Sequence, residues 1–272
     1  MNVISIQKLT RDYGGGKGIF DVSFQVDKGE VFGFLGPNGA GKTTTIRHLM
    51  GFIRPKAGKC TINGVDCWTG SSQIQKNLGY IPGEISFFDD MTGTEFLDFS
   101  AKYCGLSGTG RQAELLERFE LNPKGKIKKM SKGMKQKIGI VAAFMHDPEI
   151  LILDEPTSGL DPLMQSRFIV LIGEEKKKGK TILLSSHMFE EVERTCDRVG
   201  IIRAGKLVAV DSVEALRERH LRSYQVTLDT EETARAFAAD FGGNCTGRTV
   251  TVSAKQSLED IFMHYYGGER ND

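Results

Sequence analysis

Gly36, Pro37, Asn38, Gly39, Ala40, Gly41, Lys42 and Thr43 satisfy the pattern GxxxxGK(S/T), and no other feature of this chain constrains its fold so tightly. Residues 30–35 ahead of it form a short apolar run that reads as a buried strand. Residues 43–50, with Thr44 in the first turn, have helical composition, so the glycines sit between strand and helix. An ordinary Gly-rich turn shares the composition but not this context. Glycines let the backbone curl until successive amide hydrogens and the helix N-terminus converge on phosphate oxygens. Lys42 is then placed to neutralise β and γ phosphates, and the Thr43 hydroxyl to hold Mg²⁺.

A second signal supports the first. Residues 150–155 read ILILDE, a buried strand that delivers Asp154 and Glu155 at its C-terminal end, where α/β sheets bind ligands. Asp154 suits the Mg²⁺ shell, and Glu155 can polarise the water that attacks a γ phosphate. Strand patterns recur at 181–185 and 199–202, separated by helical stretches 163–178 and 189–196, and this alternation implies a mainly parallel sheet. Residues 2–9 and 19–26 alternate apolar and polar as half-buried antiparallel strands do, with residues 14–18 as their turn. Helical patterns at 94–104, 111–120 and 133–145 predict a helical subdomain over about 84–146. The first domain is expected to span 1–220.

Over 221–272 the pattern is strand 224–228, helix 231–241, strand 249–252, and a helix opened by Ser257 with Asp260 as a capping box. Leu258, Ile261, Phe262 and Tyr265 would line one face of that last helix. A small C-terminal α/β accessory domain is expected there.

Composition narrows the partners. The 272 residues are 39% apolar, enough for a sizeable core, and 36 Lys and Arg face 35 Asp and Glu, so no global charge favours nucleic acid or lipid headgroups. The five cysteines are scattered, odd in number and never form CxxC, which predicts neither disulfides nor zinc and fits a reducing cytoplasm. The opening MNVISIQKLTRDYGG carries charges where a signal peptide needs an apolar stretch, and no run approaches the roughly 20 apolar residues of a membrane span. A soluble chain is expected. Seven lysines between Lys124 and Lys137 lack interleaved aromatics, and Ile138, Val141, Ala142 and Met145 give that helix an apolar face. They read as its solvated side, so no nucleic-acid partner is expected. Trp68, Cys60 and His146 read as packing residues.

In this order of motifs the chain resembles the ABC ATPase family over about residues 2–218. Tyr13 matches the aromatic on which adenine stacks. Met130-Ser131-Lys132-Gly133-Met134 matches the signature motif, keeping the serine and one glycine of the usual LSGGQ. Ser158-Gly159-Leu160-Asp161 matches the D-loop, and His187 the switch histidine. The resemblance implies a P-loop NTPase (RecA-like) core with an antiparallel β subdomain and an α-helical insert. It also implies ATP hydrolysis with Mg²⁺, in a homodimer or closely related heterodimer. Ser131 and Gly133, opening a predicted helix, would meet the γ phosphate held by the opposite subunit, and His187 would sense that phosphate.

One departure concerns the Q-loop, where glutamine usually follows Tyr-x-Pro. Here the chain reads Tyr80-Ile-Pro82-Gly83-Glu84, leaving Glu84 as the candidate to reach the metal shell. This loop and the loose signature look like ATPases of ABC-2 type exporters, which carry drugs, antibiotic peptides or lipid-linked molecules. Transmembrane permease subunits are therefore the expected partners, with this chain peripheral on the inner face of the cell membrane. The alternative is a soluble ABC ATPase uncoupled from transport, although such proteins usually carry paired cassettes or long coiled-coil insertions. A GTPase is disfavoured by the missing NKxD motif, and a regulator without turnover by the intact Asp154 and Glu155.

Overall fold

Alternating apolar residues set the first hairpin in a computed structural model that describes residues 2–88, 90–106, 108–219 and 221–266. Strands β1 (Asn2–Gly14) and β2 (Lys17–Asp27) pair antiparallel and bury Ile4, Ile6, Leu9, Val22, Phe24 and Val26. The chain forms two units, Met1–Val210 and Asp211–Asp272.

In the first unit β3 (Val31–Leu35), α1 (Lys42–Leu49), β4 (Ala57–Ile62), β5 (Val65–Asp66), α2 (Ser71–Gln75) and β6 (Leu78–Ile81) follow the hairpin. Helices α3 (Gly93–Tyr103), α4 (Gly110–Arg118) and α5 (Lys132–Phe144) make the insert. Then β7 (Ile150–Asp154), α6 (Pro162–Lys177), β8 (Thr181–Ser186), α7 (Phe189–Thr195), β9 (Arg198–Arg203) and β10 (Lys206–Ser212), whose last two residues are counted in the second unit, complete the α/β alternation. One sheet runs β2-β1-β4-β5 and the other β10-β9-β3-β8-β7-β6.

Strands β3, β7 and β8 are buried along their whole lengths, the continuous runs that a parallel sheet covered on both faces requires. Their register matters most. Leu35 pairs with Ser186, and Asp154 with Ser185, so β3, β8 and β7 end side by side. Phe24 of the first sheet stacks on Phe32 of the second, with centroids 4.9 Å apart.

Local chemistry fixes the helix ends. Thr92 and Glu95 form a capping box on α3, Ser131 Oγ accepts the Met134 amide on α5, and Asp161 caps α6 with Pro162 in its first turn. Insert and core are joined by ion pairs, among them Arg111 with the buried Glu175 at 2.5 Å.

The second unit holds α8 (Val213–Arg219), β11 (Leu221–Thr227), α9 (Glu231–Phe241), β12 (Asn244–Thr246), β13 (Thr249–Lys255) and α10 (Leu258–Tyr266), with the antiparallel order β11-β13-β12. Ser257 Oγ accepts the Asp260 amide at 3.1 Å, the capping bond expected of it, and donates to the Asp260 carboxylate at 2.8 Å. The division falls ten residues before the expected 220/221 boundary, because α8 packs against α10.

Strands β4, β5, β6, β10 and β12 and helices α2 and α8 gave no clear sequence signal; most are short, and β4 opens on exposed Ala57, Gly58 and Lys59. Trp68 is not a packing residue: its side chain is 42% exposed beyond β5, whereas Cys60 is buried and His146 half-buried. Among the described residues no helix is long and apolar enough to cross a membrane.

Candidate functional site

Beyond Leu35 the chain turns sharply before α1. A Cβ on Gly36 would meet the Ile202 carbonyl oxygen at 2.7 Å. Gly41, the N-cap of α1, has φ of 111°, and a Cβ there would stand 2.7 Å from Ile19 Cγ2. Helix α1 has no side-chain cap and no acidic residue in its first turn, which leaves its leading amides to an anion. Pro37, Asn38 and Gly39 form the exposed crest of the loop, while Ala40 is buried under it. Lys42 is 4% exposed; its ammonium donates to the carbonyls of Gly36 at 2.5 Å and Pro37 at 3.3 Å, and pairs with Glu155 Oε1 at 3.0 Å. Thr43 and Thr44 follow in the first turn, the Thr44 carbonyl bonded to His48 Nδ1.

Asp154 is fully buried at the end of β7. Ser185 Oγ donates to its Oδ1, and Oδ2 has no hydrogen-bond partner. Burial pushes its carboxyl above the ordinary range, against the opposing pull of Ser185, Thr43 and Lys42. Glu155 has φ of 51°, the left-handed region, a strain of about 1–2 kcal/mol for an L residue. Its amide is held by the Ser185 carbonyl at 3.1 Å and hydroxyl at 3.2 Å. Such strain persists where surrounding structure enforces it, commonly at functional positions.

His187 follows β8, and its Nδ1 meets Glu155 Oε2. One carboxylate thus bridges the loop lysine and the histidine. Behind them Glu191 of α7 is buried and accepts from Ser186 Oγ at 2.5 Å; burial pushes its carboxyl up to about 7.

A cleft of 610 Å³ opens over these groups, lined by Asn38, Thr43, Arg47, Gly83, Glu84, Ile85, Lys132, Lys135, Gln136, Glu155, Ser158 and His187. It gathers the expected Asn38, Thr43, Glu84, Glu155 and His187. A Cβ at Gly83 would stand 3.0 Å from Asp154 Oδ2, so any larger residue there crowds that carboxylate. Tyr13, Ser131 and Gly133 lie off this wall. Tyr13 is the next-to-last residue of β1 and is 53% exposed, with the Arg11 guanidinium 5.4 Å from its ring centroid. Ser131 caps α5, and a Cβ on Gly133 would meet the Gly159 carbonyl oxygen at 2.7 Å.

Sequence reasoning did not assign Arg47, Lys132, Lys135 or Gln136 to the site. Arg47 lies one helical turn after Thr43, a spacing that could have marked it. Gln136 is buried and donates to the Pro156 carbonyl at 2.7 Å, and the two lysines belong to the run read as a solvated face.

The profile of the ABC transporter family matches residues 19–158. The bacitracin transport ATP-binding protein BcrA of Bacillus licheniformis is 38% identical over 85% of this chain and 77% of its own length. A solved ATP-binding subunit of an ABC transporter superimposes with a TM-score of 0.73 at 35% identity, covering 80% of this chain and 92% of that one. A dimeric bacterial ABC transporter cassette shares the fold, with a TM-score of 0.70 at 21% identity over 77% of this chain and 98% of its own.

Proposed function

The chain belongs to the ABC transporter family as an ATP-binding subunit that hydrolyses ATP, and we propose that it drives a separate transmembrane permease, closing as a dimer of cassettes around MgATP on the inner face of the cell membrane. The observation that carries this reading is the convergence of Lys42, Thr43, Asp154, Glu155 and His187 beyond three neighbouring strand ends.

The chemistry follows from their positions. Phosphate oxygens occupy the amides that open α1, and Lys42 exchanges Glu155 for them. The hydroxyl of Thr43 and the unpartnered Oδ2 of Asp154 are hard oxygen donors of the kind Mg²⁺ takes, with Glu84 on the same wall. When bound, Mg²⁺ neutralises charge on the β and γ phosphates. Glu155, released from Lys42, takes a proton from water as the water oxygen bonds the γ phosphorus and the bond to the ADP oxygen breaks. His187, beside Glu155, hydrogen-bonds the γ phosphate, and Tyr13 offers its exposed ring to adenine.

Ser131 and Gly133 lie off the cleft wall, which fits a role on nucleotide held by a second copy or a close relative; the shared fold of the dimeric cassette supports this. A permease is favoured by exposed aromatics around the Q-loop. Phe52 is 55% exposed and 5.9 Å from Tyr80, and Phe88 and Phe99, 57% and 48% exposed, pack edge to face. Likeness to a bacitracin transport protein supports export of drugs, antibiotic peptides or lipid-linked molecules.

The test is co-expression with a six-helix membrane protein encoded in an adjacent reading frame. Co-purification and ATP hydrolysis stimulated by that partner support the motor reading. Hydrolysis by a chain that binds no membrane subunit favours a soluble ABC ATPase instead.

A further inference from the structure

We propose that Lys132 is a positioning residue for ATP hydrolysis, holding Ser158 so that the turn bearing Glu155 keeps its strained geometry. The inference rests on the reading of Glu155 as the group that polarises the attacking water. Lys132 stands where the resembled signature has a glycine, and its ammonium donates to Ser158 Oγ at 2.8 Å. Its stem lies across Gly159, since a Cβ at that glycine would meet Lys132 Cγ and Cδ at 3.0 Å. Ser158 in turn donates its amide to the Glu155 carbonyl at 3.1 Å, closing the turn that begins at Glu155.

The start of α5 therefore grips residues 156–159 at three places. Gln136 bonds the Pro156 carbonyl at 2.7 Å, Lys132 bonds Ser158, and Gly133 packs on Gly159. Only Lys132 among these brings a charge, and an ammonium donor makes the stronger kind of hydrogen bond. Glu155, with φ of 51°, needs such restraint because its backbone conformation is not one it would hold unaided. A glycine at 132 would leave Ser158 without this partner. Lys132 thus compensates on the signature side, in this chain, for a turn that the Ser185 contacts hold only from the β8 side.

The experiment is a double-mutant cycle in the full chain with Lys132→Ala, Ser158→Ala and their combination, read as kcat, KM for ATP and thermal midpoint. Alanine suits the first turn of a helix, so folding is preserved, and Lys132→Arg serves as the conservative variant. Each single alanine variant is expected to lower kcat roughly threefold to tenfold, the value of one partly exposed charged hydrogen bond. KM should stay within about twofold, because Lys42 and the free amides that open α1, the groups placed on the phosphates, are untouched. The combined variant should lose no more than either single one, and Lys132→Arg should recover most of kcat. Additive losses, an unchanged kcat in Lys132→Ala, or a fall in kcat matched by a fall in thermal midpoint would overturn the inference. Glu155→Gln run alongside separates the two readings: if it keeps full turnover, the role of Glu155 fails and this inference with it. If it is inactive and the cycle shows no coupling, only the role of Lys132 fails.

Discussion

Lys42 Nζ lies 3.0 Å from Glu155 Oε1, so the ammonium of the phosphate loop and the carboxylate beyond β7 neutralise each other across the cleft. The other Glu155 oxygen meets His187. Binding of a triphosphate and release of the carboxylate are therefore expected to be one exchange, in which the anion that takes Lys42 frees Glu155.

Glu155→Gln is expected to bind ATP at least as tightly as the parent, because a neutral amide competes less for Lys42. Turnover should fall by about 10²–10⁴-fold, the usual share of a general base. A closed dimer should accumulate with MgATP in size-exclusion chromatography. Strictly monomeric elution with undiminished hydrolysis would rule out both the role and the dimer.

Burial raises the Asp154 carboxyl above the ordinary range, and only its charged form serves a cation. As pH falls through that raised value, the Mg²⁺ concentration needed for half-maximal hydrolysis should climb. Asp154→Asn should raise the requirement roughly tenfold or more and flatten its pH dependence. Mg²⁺ titrations at several pH values, wild type against variant, decide it; parallel curves count against a metal role.

Burial pushes the Glu191 carboxyl up to about 7. Its folded value lies above the unfolded one, so the folded chain binds the extra proton, and stability declines as pH rises from about 4.3 towards that value. Glu191→Gln cannot ionise and should escape this decline, gaining about 3–4 kcal/mol over wild type above the window. Urea unfolding of both proteins across the window is the measurement, and a constant difference would show that Glu191 takes up no proton on folding.

Glu84 is exposed on the same cleft wall as Thr43. A carboxylate near a triphosphate is repelled unless a cation lies between them. Glu84→Ala should therefore raise the Mg²⁺ requirement while leaving Mg²⁺-free ATP affinity unchanged. Calorimetry with and without metal separates this from a solvated loop charge, for which neither quantity moves.

A chain ending at Ser212 keeps β10 whole and every residue of the cleft, so it should still hydrolyse ATP. One ending near Leu221 would carry α8 without α10 and expose Leu216, which is 1% accessible in the full chain. The longer truncation should bind more of an apolar dye and unfold at lower urea. Equal behaviour would place the unit boundary after α8.

The groups proposed to carry chemistry are legible because their signals are local. A glycine loop between a strand and a helix, two carboxylates closing an apolar strand and a serine ahead of a helix each fall within a few residues, where spacing and backbone preference speak directly. Placement was another matter. Nothing near Lys42 in the chain announces Glu155 or His187, and their meeting depends on β8 lying between β3 and β7 in a register that ends all three together. The left-handed turn at Glu155 and the grip of Lys132 on Ser158 were likewise silent, and a lysine run read as solvated face proved to supply part of the cleft wall. Local patterning determined which groups this protein possesses. Sheet order decided which of them touch, because contacts between distant segments form only when burial of whole strands fixes their neighbours.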